Sequence, residues 1–273
     1  MTDMDYKSFL KEFGERSGYD FCNYSANSIS RRLQKICVET GLSFDQILDR
    51  IVTDKEFVKR VVEDITVNTT ELFRDPVVWI ALVKQLYAKL PKATRSTIWH
   101  IGCSTGLEVY SDLIMLTELG LIDNVRVLAS DINPTVLEQA RLGRYNYSFN
   151  KVYVDSFNSV MAGCGFSATF DKYFEINEQA DFIQVKPELL GKATFYRQDL
   201  VKDKAPFPFK VDAVFLRNVM IYFNDALQTS ILKGVISQMH AGAFLLMGKQ
   251  EDVPSSLASE FVQSGVLYQR KTL

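Results

Sequence analysis

An open α/β sheet with helices on both faces, carrying a small inserted subdomain and preceded by an all-α domain, is the fold class this 273-residue chain predicts. Three observations predict it. Over the first 65 or so residues, apolar positions recur at the roughly 3.6-residue spacing of helices, without strand-like alternation. From Thr97 onward, short β-rich runs alternate with helical segments, the pattern of a mostly parallel sheet. The first of those runs ends in a glycine-bearing corner, Gly102-Cys103-Ser104-Thr105-Gly106, before a helix begins.

In the N-terminal part, Tyr6, Phe9, Leu10 and Phe13 form one helical stripe, and Ile29, Leu33, Ile36 and Cys37 form a second. Ser43 is placed to cap a third helix, whose core side carries Phe44, Ile47, Leu48 and Ile51 and whose outer side carries Asp45 and Asp49. Residues 55–65 complete the set. The segment 66–75 is polar and without period, and Pro76 then opens a long helix at a favoured first-turn position, with Trp79, Leu82, Val83 and Leu86 facing a core. The expected division is a helical domain with linker over residues 1–74 and an α/β domain over 75–273.

The α/β part reads as follows. Thr97-Ile98-Trp99-His100-Ile101 is a strand, and a helix follows through Tyr110, Leu113, Ile114, Leu116 and Leu119. Val125-Arg126-Val127-Leu128-Ala129 is a second strand ending at Ser130-Asp131, and Pro134 opens a helix with Val136, Leu137 and Ala140. Later strands are Ala193-Thr194-Phe195-Tyr196 and Ala213-Val214-Phe215-Leu216. A helix around residues 227–239, then Ala243-Phe244-Leu245-Leu246-Met247 and Val266-Leu267-Tyr268, finish the chain. The stretch from about 143 to 192 breaks the rhythm, is rich in Tyr, Phe, Asn and Ser, and is expected to be an inserted subdomain of short antiparallel strands.

Composition excludes several classes. With 47% apolar and 23% charged residues a buried core is within reach. A net charge of −2 lacks the clustered basic excess that phosphate neutralisation demands, so no nucleic-acid partner is expected. No apolar run approaches the roughly 20 residues that span a bilayer, and the acidic start Met1-Thr2-Asp3-Met4-Asp5 lacks a signal-peptide layout; a cytoplasmic protein without direct membrane insertion is expected. Cys22, Cys37, Cys103 and Cys164 form no CxxC pair and only two histidines exist, so no metal site is expected. His100, inside an apolar strand, is expected to be a core residue.

The glycine corner constrains the ligand. In open α/β sheets ligands bind beyond the carboxyl ends of the strands. Asp131, at the end of the second strand, follows Gly106 at close to the ~20-residue spacing of an acid that binds ribose hydroxyls. A dinucleotide site needs glycine at the middle position so that pyrophosphate can approach the backbone, and here that position is Ser104. No GxxxxGK[ST] phosphate loop exists. A nucleoside ligand without phosphate fits better, and S-adenosylmethionine, with ribose, adenine and a zwitterionic tail, is one.

Four segments in this order carry a resemblance: Asn68-Thr69-Thr70-Glu71-Leu72-Phe73-Arg74-Asp75, Gly102-Cys103-Ser104-Thr105-Gly106-Leu107-Glu108-Val109-Tyr110-Ser111, Ala129-Ser130-Asp131-Ile132-Asn133, and Phe215-Leu216-Arg217-Asn218-Val219-Met220-Ile221-Tyr222-Phe223. Together they resemble the CheR family of chemoreceptor glutamate methyltransferases over nearly the whole chain, the RNVxIYF core being the most specific. The resemblance implies a Rossmann-like S-adenosylmethionine-dependent methyltransferase domain that transfers a methyl group to receptor glutamates, leaving S-adenosylhomocysteine. It implies cofactor contacts from Asn68, Thr70, Arg74, Gly102, Ser104, Gly106, Glu108, Asp131, Asp199, Leu200, Arg217 and Asn218. Arg74 suits the cofactor carboxylate as a guanidinium fork, Glu108 its cationic groups, Asp131 the ribose and Asp199-Leu200 the adenine. Arg217, Asn218 and Tyr222 are implied as catalytic residues beside the methyl group, and Arg31, Arg32 and Lys35 as the basic face that meets an acidic receptor helix. A receptor C-terminal peptide is a further partner the resemblance allows, and a monomer is expected.

The chain departs from the family pattern. GEEPYS is Gly106-Leu107-Glu108-Val109-Tyr110-Ser111, the adenine-side Asn is Asp199, and Gly-His-Ser-Glu is Gly248-Lys249-Gln250-Glu251. Two alternatives therefore stand beside receptor methylation: a non-catalytic cofactor-binding regulator or scaffold, and a methyltransferase for another protein or a small molecule.

Overall fold

A computed structural model describes residues 3–66, 68–90, 95–150, 152–203 and 206–272. Met1 and Thr2, read above for a leader, lie outside them. The helical domain is α1 (Asp3–Ser17), α2 (Ala26–Thr40), α3 (Phe44–Thr53) and α4 (Lys55–Ile65). Phe9, Phe13, Leu33, Ile47, Phe57 and Val61 fill its core, and Asp45 and Asp49 stay outside. Ser43 caps α3 in a reciprocal box with Gln46, satisfying two N-terminal backbone donors.

The helix from Pro76 is shorter than expected. It ends at Gln85 as α5 (Pro76–Gln85) and tightens into a 3₁₀ turn, Tyr87–Lys89. The main sheet then follows with β1 (Ser96–Ile101), α6 (Leu107–Glu118), β2 (Val125–Asp131) and α7 (Pro134–Leu142). The insertion holds β3 (Arg144–Asn146), α8 (Tyr147–Asn150), α9 (Val152–Cys164), α10 (Phe170–Tyr173), β4 (Phe174–Asn177) and β5 (Phe182–Val185). Its antiparallel sheet runs β3-β5-β4, but α9, the longest element of the insertion, is a helix that packs on α5. A run such as Tyr153, Phe157, Val160 and Met161 buries one face at helical spacing, which the aromatic composition hides. β6 (Ala193–Arg197), β7 (Val211–Leu216), α11 (Asp225–Gln238), β8 (Met239–Met247), β9 (Phe261–Ser264) and β10 (Leu267–Arg270) complete the chain.

Seven strands form the main sheet in the order β6-β2-β1-β7-β8-β10-β9, parallel from β6 to β8 and antiparallel at β10 and β9. Side chains alternate across it as strand geometry demands. Ile98, Val127, Phe215 and Leu246 face the core under α5, α6 and α9, while Trp99, Leu128, Val214 and Leu245 face α11. The chain runs outward from β1 to β2 and β6, then returns to β7 on the other side of β1. That reversal opens a crevice beyond the carboxyl ends of β1 and β7.

Candidate active site

Ser104 fastens the corner after β1 through two hydrogen bonds. Ser104 adopts a left-handed φ of 50°, costly for a residue with a Cβ. Its N–H donates to Asp131 Oδ2 at 2.8 Å and its hydroxyl donates to the Asn68 carbonyl at 3.0 Å. The second bond pins the linker to the glycine corner. Asp131 also accepts from the Asn133 N–H through Oδ1 at 3.0 Å, and Asn133, not Asp131, caps α7.

A cavity lies above this corner, beyond the carboxyl ends of β1 and β7. Of the residues expected to hold cofactor or substrate, Asn68, Thr70, Arg74, Gly102, Ser104, Glu108, Asp131, Asp199, Leu200, Arg217, Asn218 and Tyr222 line it. Gly106 does not. It begins α6 with φ 87°, and a Cβ there would lie 2.9 Å from the Ala140 side chain, so this glycine permits the approach of α7. Arg31, Arg32 and Lys35 do not line the cavity either. Arg32 donates to the Asp64 carbonyl at 3.2 Å, and Lys35 lies near Glu39 and Asp64 carboxylates at 3.5 and 3.8 Å, so two of the three brace α2 against α4 and its own next turn.

The two walls differ in electrostatics. On the β1–β7 side runs a chain of alternating charges. His100 Nε2 meets Asp112 Oδ2 at 3.0 Å and His100 Nδ1 meets Glu108 Oε1 at 3.1 Å. Glu108 Oε2 takes Arg217 Nη1 at 3.0 Å, Arg217 Nη2 donates to Asp75 Oδ2 at 2.8 Å, and Lys249 reaches Asp75 Oδ1 at 2.8 Å. Burial alone pushes an imidazolium pKa down, but the hydrogen bonds and charges of Asp112 and Glu108 outweigh it and raise His100 to about 9. Burial likewise opposes the ionised form of Glu108, and His100 and Arg217 hold its carboxyl below the usual range. Three cations and three anions alternate and cancel.

This network bears on three of the residues singled out in the sequence. His100 is not a plain core residue. Glu108 spends both oxygens on His100 and Arg217, so its charge is already matched. Arg217, with its side chain buried, is committed to Glu108, Asp75 and the Arg74 carbonyl. Leu107 and Val109, which replace the expected acid and proline, are buried in the core of α6 and leave its first turn intact.

On the opposite side, polar atoms lack protein partners. Asp199 Oδ1 accepts from the Val201 N–H at 2.9 Å, but Asp199 Oδ2 and Gln198 Oε1 are buried with no hydrogen-bond partner. Buried orphans of this kind are rare and costly. Burial raises the pKa of both Asp199 and Asp131, against stabilising backbone N–H groups in each case. Arg74 has no ion pair among the described residues. Tyr222 is half-buried, and burial raises its phenol pKa, opposed by the nearby Arg32 and Arg74 charges.

Glu251, noted only within a variant motif, holds the loop after β7. Its oxygens accept from the N–H groups of Asn218 (2.6 Å), Met220 (2.7 Å), Ile221 (3.3 Å) and Gly248 (2.8 Å). A Cβ at Gly248 would lie 2.5 Å from Glu251 Oε2 and 3.0 Å from the Asn218 nitrogen, so that position admits only glycine without displacing the loop. Tyr24 and Gln198 also line the cavity, and sequence reasoning missed both. Gln198 adjoins the Asp199 motif; Tyr24 belongs to the helical domain and carries no local signal.

Among the described residues no group of three or more His, Cys, Asp or Glu is arranged to hold a metal ion, and no helix is long and apolar enough to cross a membrane. A parallel sheet reversing at β1 and β7, with a glycine corner, a strand-end acid and a cavity rimmed by unpaired acceptors, defines a nucleoside-cofactor domain. Comparison with known proteins makes this specific. Residues 4–66 match the all-alpha domain of CheR methyltransferase and residues 68–266 match its SAM binding domain. The chain belongs to the CheR methyltransferase family, and S-adenosylmethionine is its cofactor. It is 29% identical over 270 residues to Cher3 of Pseudomonas putida, covering 98% of this chain and 96% of that protein. It is 28% identical to chemotaxis protein methyltransferase 1 of Pseudomonas aeruginosa, covering 89% of each. Among solved structures it aligns with the N-methyltransferase NodS of Bradyrhizobium japonicum bound to S-adenosylhomocysteine, at 11% identity and a TM-score of 0.40, covering 72% of this chain and 85% of that one.

Proposed function

We propose that this protein methylates glutamate side chains of chemoreceptors in the cytoplasm, producing glutamyl methyl esters. The observation that carries this is the pairing of an uncompensated adenosyl-side wall with a half-buried tyrosine at the end of β7 in one cavity. Asp131 is placed for the ribose hydroxyls, Asp199 and Leu200 for the adenine, and the unpaired Arg74 for the amino-acid carboxylate, with Asn68 and Thr70 beside it. The residues fit the cofactor because the buried orphan acceptors, Asp199 Oδ2 and Gln198 Oε1, are what an exocyclic amino group would satisfy.

When bound, the cofactor supplies an electrophilic methyl group on a sulfonium. A glutamate carboxylate has a solution pKa near 4.3 and is ionised at neutral pH, so the protein need supply no base. Its task is alignment, which is worth several kcal/mol, together with exclusion of water from a step in which charge is lost. Tyr222 and Asn218 orient the incoming carboxylate. Arg217 acts through the loop it braces: a free guanidinium gripping the nucleophile would stabilise the ground state and slow attack, and Glu108 and Asp75 keep it from doing so. The exposed face around Arg31 receives an acidic receptor helix.

The test is transfer of labelled methyl from S-adenosylmethionine to a receptor cytoplasmic fragment. Release of volatile label by mild alkali is the expected result. Cofactor binding with no alkali-labile label on any receptor fragment overturns receptor esterification and leaves another protein substrate or a regulatory role.

A further inference from the structure

The helical domain reaches into the cavity at the end of α4, with Ile65 and Thr66, and at one aromatic residue, Tyr24. Tyr24 lies in the turn between α1 and α2 yet lines the cavity with Asp131, Asp199 and Phe223. Its backbone is fastened there. The Ser25 N–H donates to the Tyr222 carbonyl at 2.7 Å and the Asn224 N–H donates to the Asn23 carbonyl at 3.0 Å, making Tyr24 and Phe223 opposite members of an antiparallel bridge. The Tyr24 ring stands edge-on to Phe21 of its own domain and to Phe223 of the other, each with centroids 5.0 Å apart. The ring is thus locked in place between two cores. Burial, then the nearby carboxylates of Asp199, Asp131 and Asp20, raise its phenol pKa, which sets it on the adenosyl side of the cavity.

We infer that Tyr24 is a cofactor-binding residue contributed by the helical domain, packing against the adenosyl half of S-adenosylmethionine. The site is then incomplete without that domain. By linkage, cofactor binding tightens the docking of the helical domain, and a partner that pulls on α2 loosens the cofactor. The inference rests on the placement of the adenosyl group beside Asp131 and Asp199 proposed above.

Calorimetric titration of the full chain with S-adenosylhomocysteine tests it, using wild type, Tyr24→Ala, Tyr24→Phe and, as reference, Asp131→Ala. Loss of one aromatic contact predicts affinity about tenfold weaker for Tyr24→Ala, and Tyr24→Phe within about threefold of wild type. Tyr24→Ala with a wild-type melting profile and affinity within about twofold of wild type overturns the inference. If Tyr24→Ala does not fold, hydrogen exchange on wild type decides: slower exchange of the Ser25 and Asn224 amides on adding S-adenosylhomocysteine supports it, and unchanged exchange overturns it. A wild type that binds while Asp131→Ala does not, with Tyr24→Ala unaffected, sinks only Tyr24. Unweakened binding by Asp131→Ala sinks the placement of the adenosyl group itself.

Discussion

The two walls of the cavity treat their charged groups in opposite ways. Along β1 and β7, Asp112, His100, Glu108, Arg217, Asp75 and Lys249 alternate in sign and pair with one another, Arg217 Nε alone among them staying unpartnered and buried. Beyond β2 and β6, Asp131 is met only by backbone N–H groups, and Asp199 and Gln198 each keep an unpartnered oxygen. The difference separates scaffold from binding surface. A buried charge with its partner in place holds geometry, and breaking the pair costs far more than the pair contributes. A buried acceptor without a partner is tolerated where a ligand completes it.

The comparison can be broken most directly at Glu108. Glu108→Ala strips His100 and Arg217 of the carboxylate they share, leaving only Asp112 and Asp75 as their partners, and removing one member of a buried pair costs about 3–5 kcal/mol. Thermal melting should fall by on the order of 10 °C; a fall of less than about 3 °C would mean that the chain is not a unit.

The pH dependence comes next. His100 has a folded pKa of about 9 against 6.5 unfolded. Its contribution is therefore complete below pH 6.5 and is lost as pH rises through 9, an amplitude on the order of 3 kcal/mol. Denaturant unfolding at pH 6 and pH 9.5 should show that decline in wild type, and His100→Gln should lack it. The variant declining as steeply as wild type contradicts a buried imidazolium.

Asp131→Ala sharpens the other wall. It should weaken S-adenosylhomocysteine binding by at least about tenfold while lowering the melting temperature less than Glu108→Ala does. The smallest effect belongs to Lys249→Ala. This cation is 56% exposed, and surface pairs contribute about 0–1 kcal/mol, so melting should move by no more than about 3 °C.

Much of this architecture is written in local pattern. The helical domain, the strand–helix alternation and the placement of Asp131 at a strand end follow from periodicity and from the glycine corner, and the structure has the expected fold class. What escaped depends on contacts distant in sequence. His100 sits in an apolar strand and reads as core; its charge is set by Glu108 and Asp112, one and two turns along the next helix. Arg217 looks available in a motif, and only the fold brings Asp75, 142 residues away, against it. Tyr24 becomes part of the cavity through docking of one domain on another, and β9, a short exposed edge strand with one buried residue, carries too little alternation to be seen.

A structure determined with S-adenosylhomocysteine tests the central claim most directly. Ribose hydroxyls are expected on the Asp131 carboxylate and adenine beside Asp199 and Gln198, with the His100–Glu108–Arg217–Asp75 pairs unchanged. Ligand bound elsewhere, or bound with Arg217 drawn away from Glu108 to grip it, would contradict the division of the cavity into a braced wall and a receptive one.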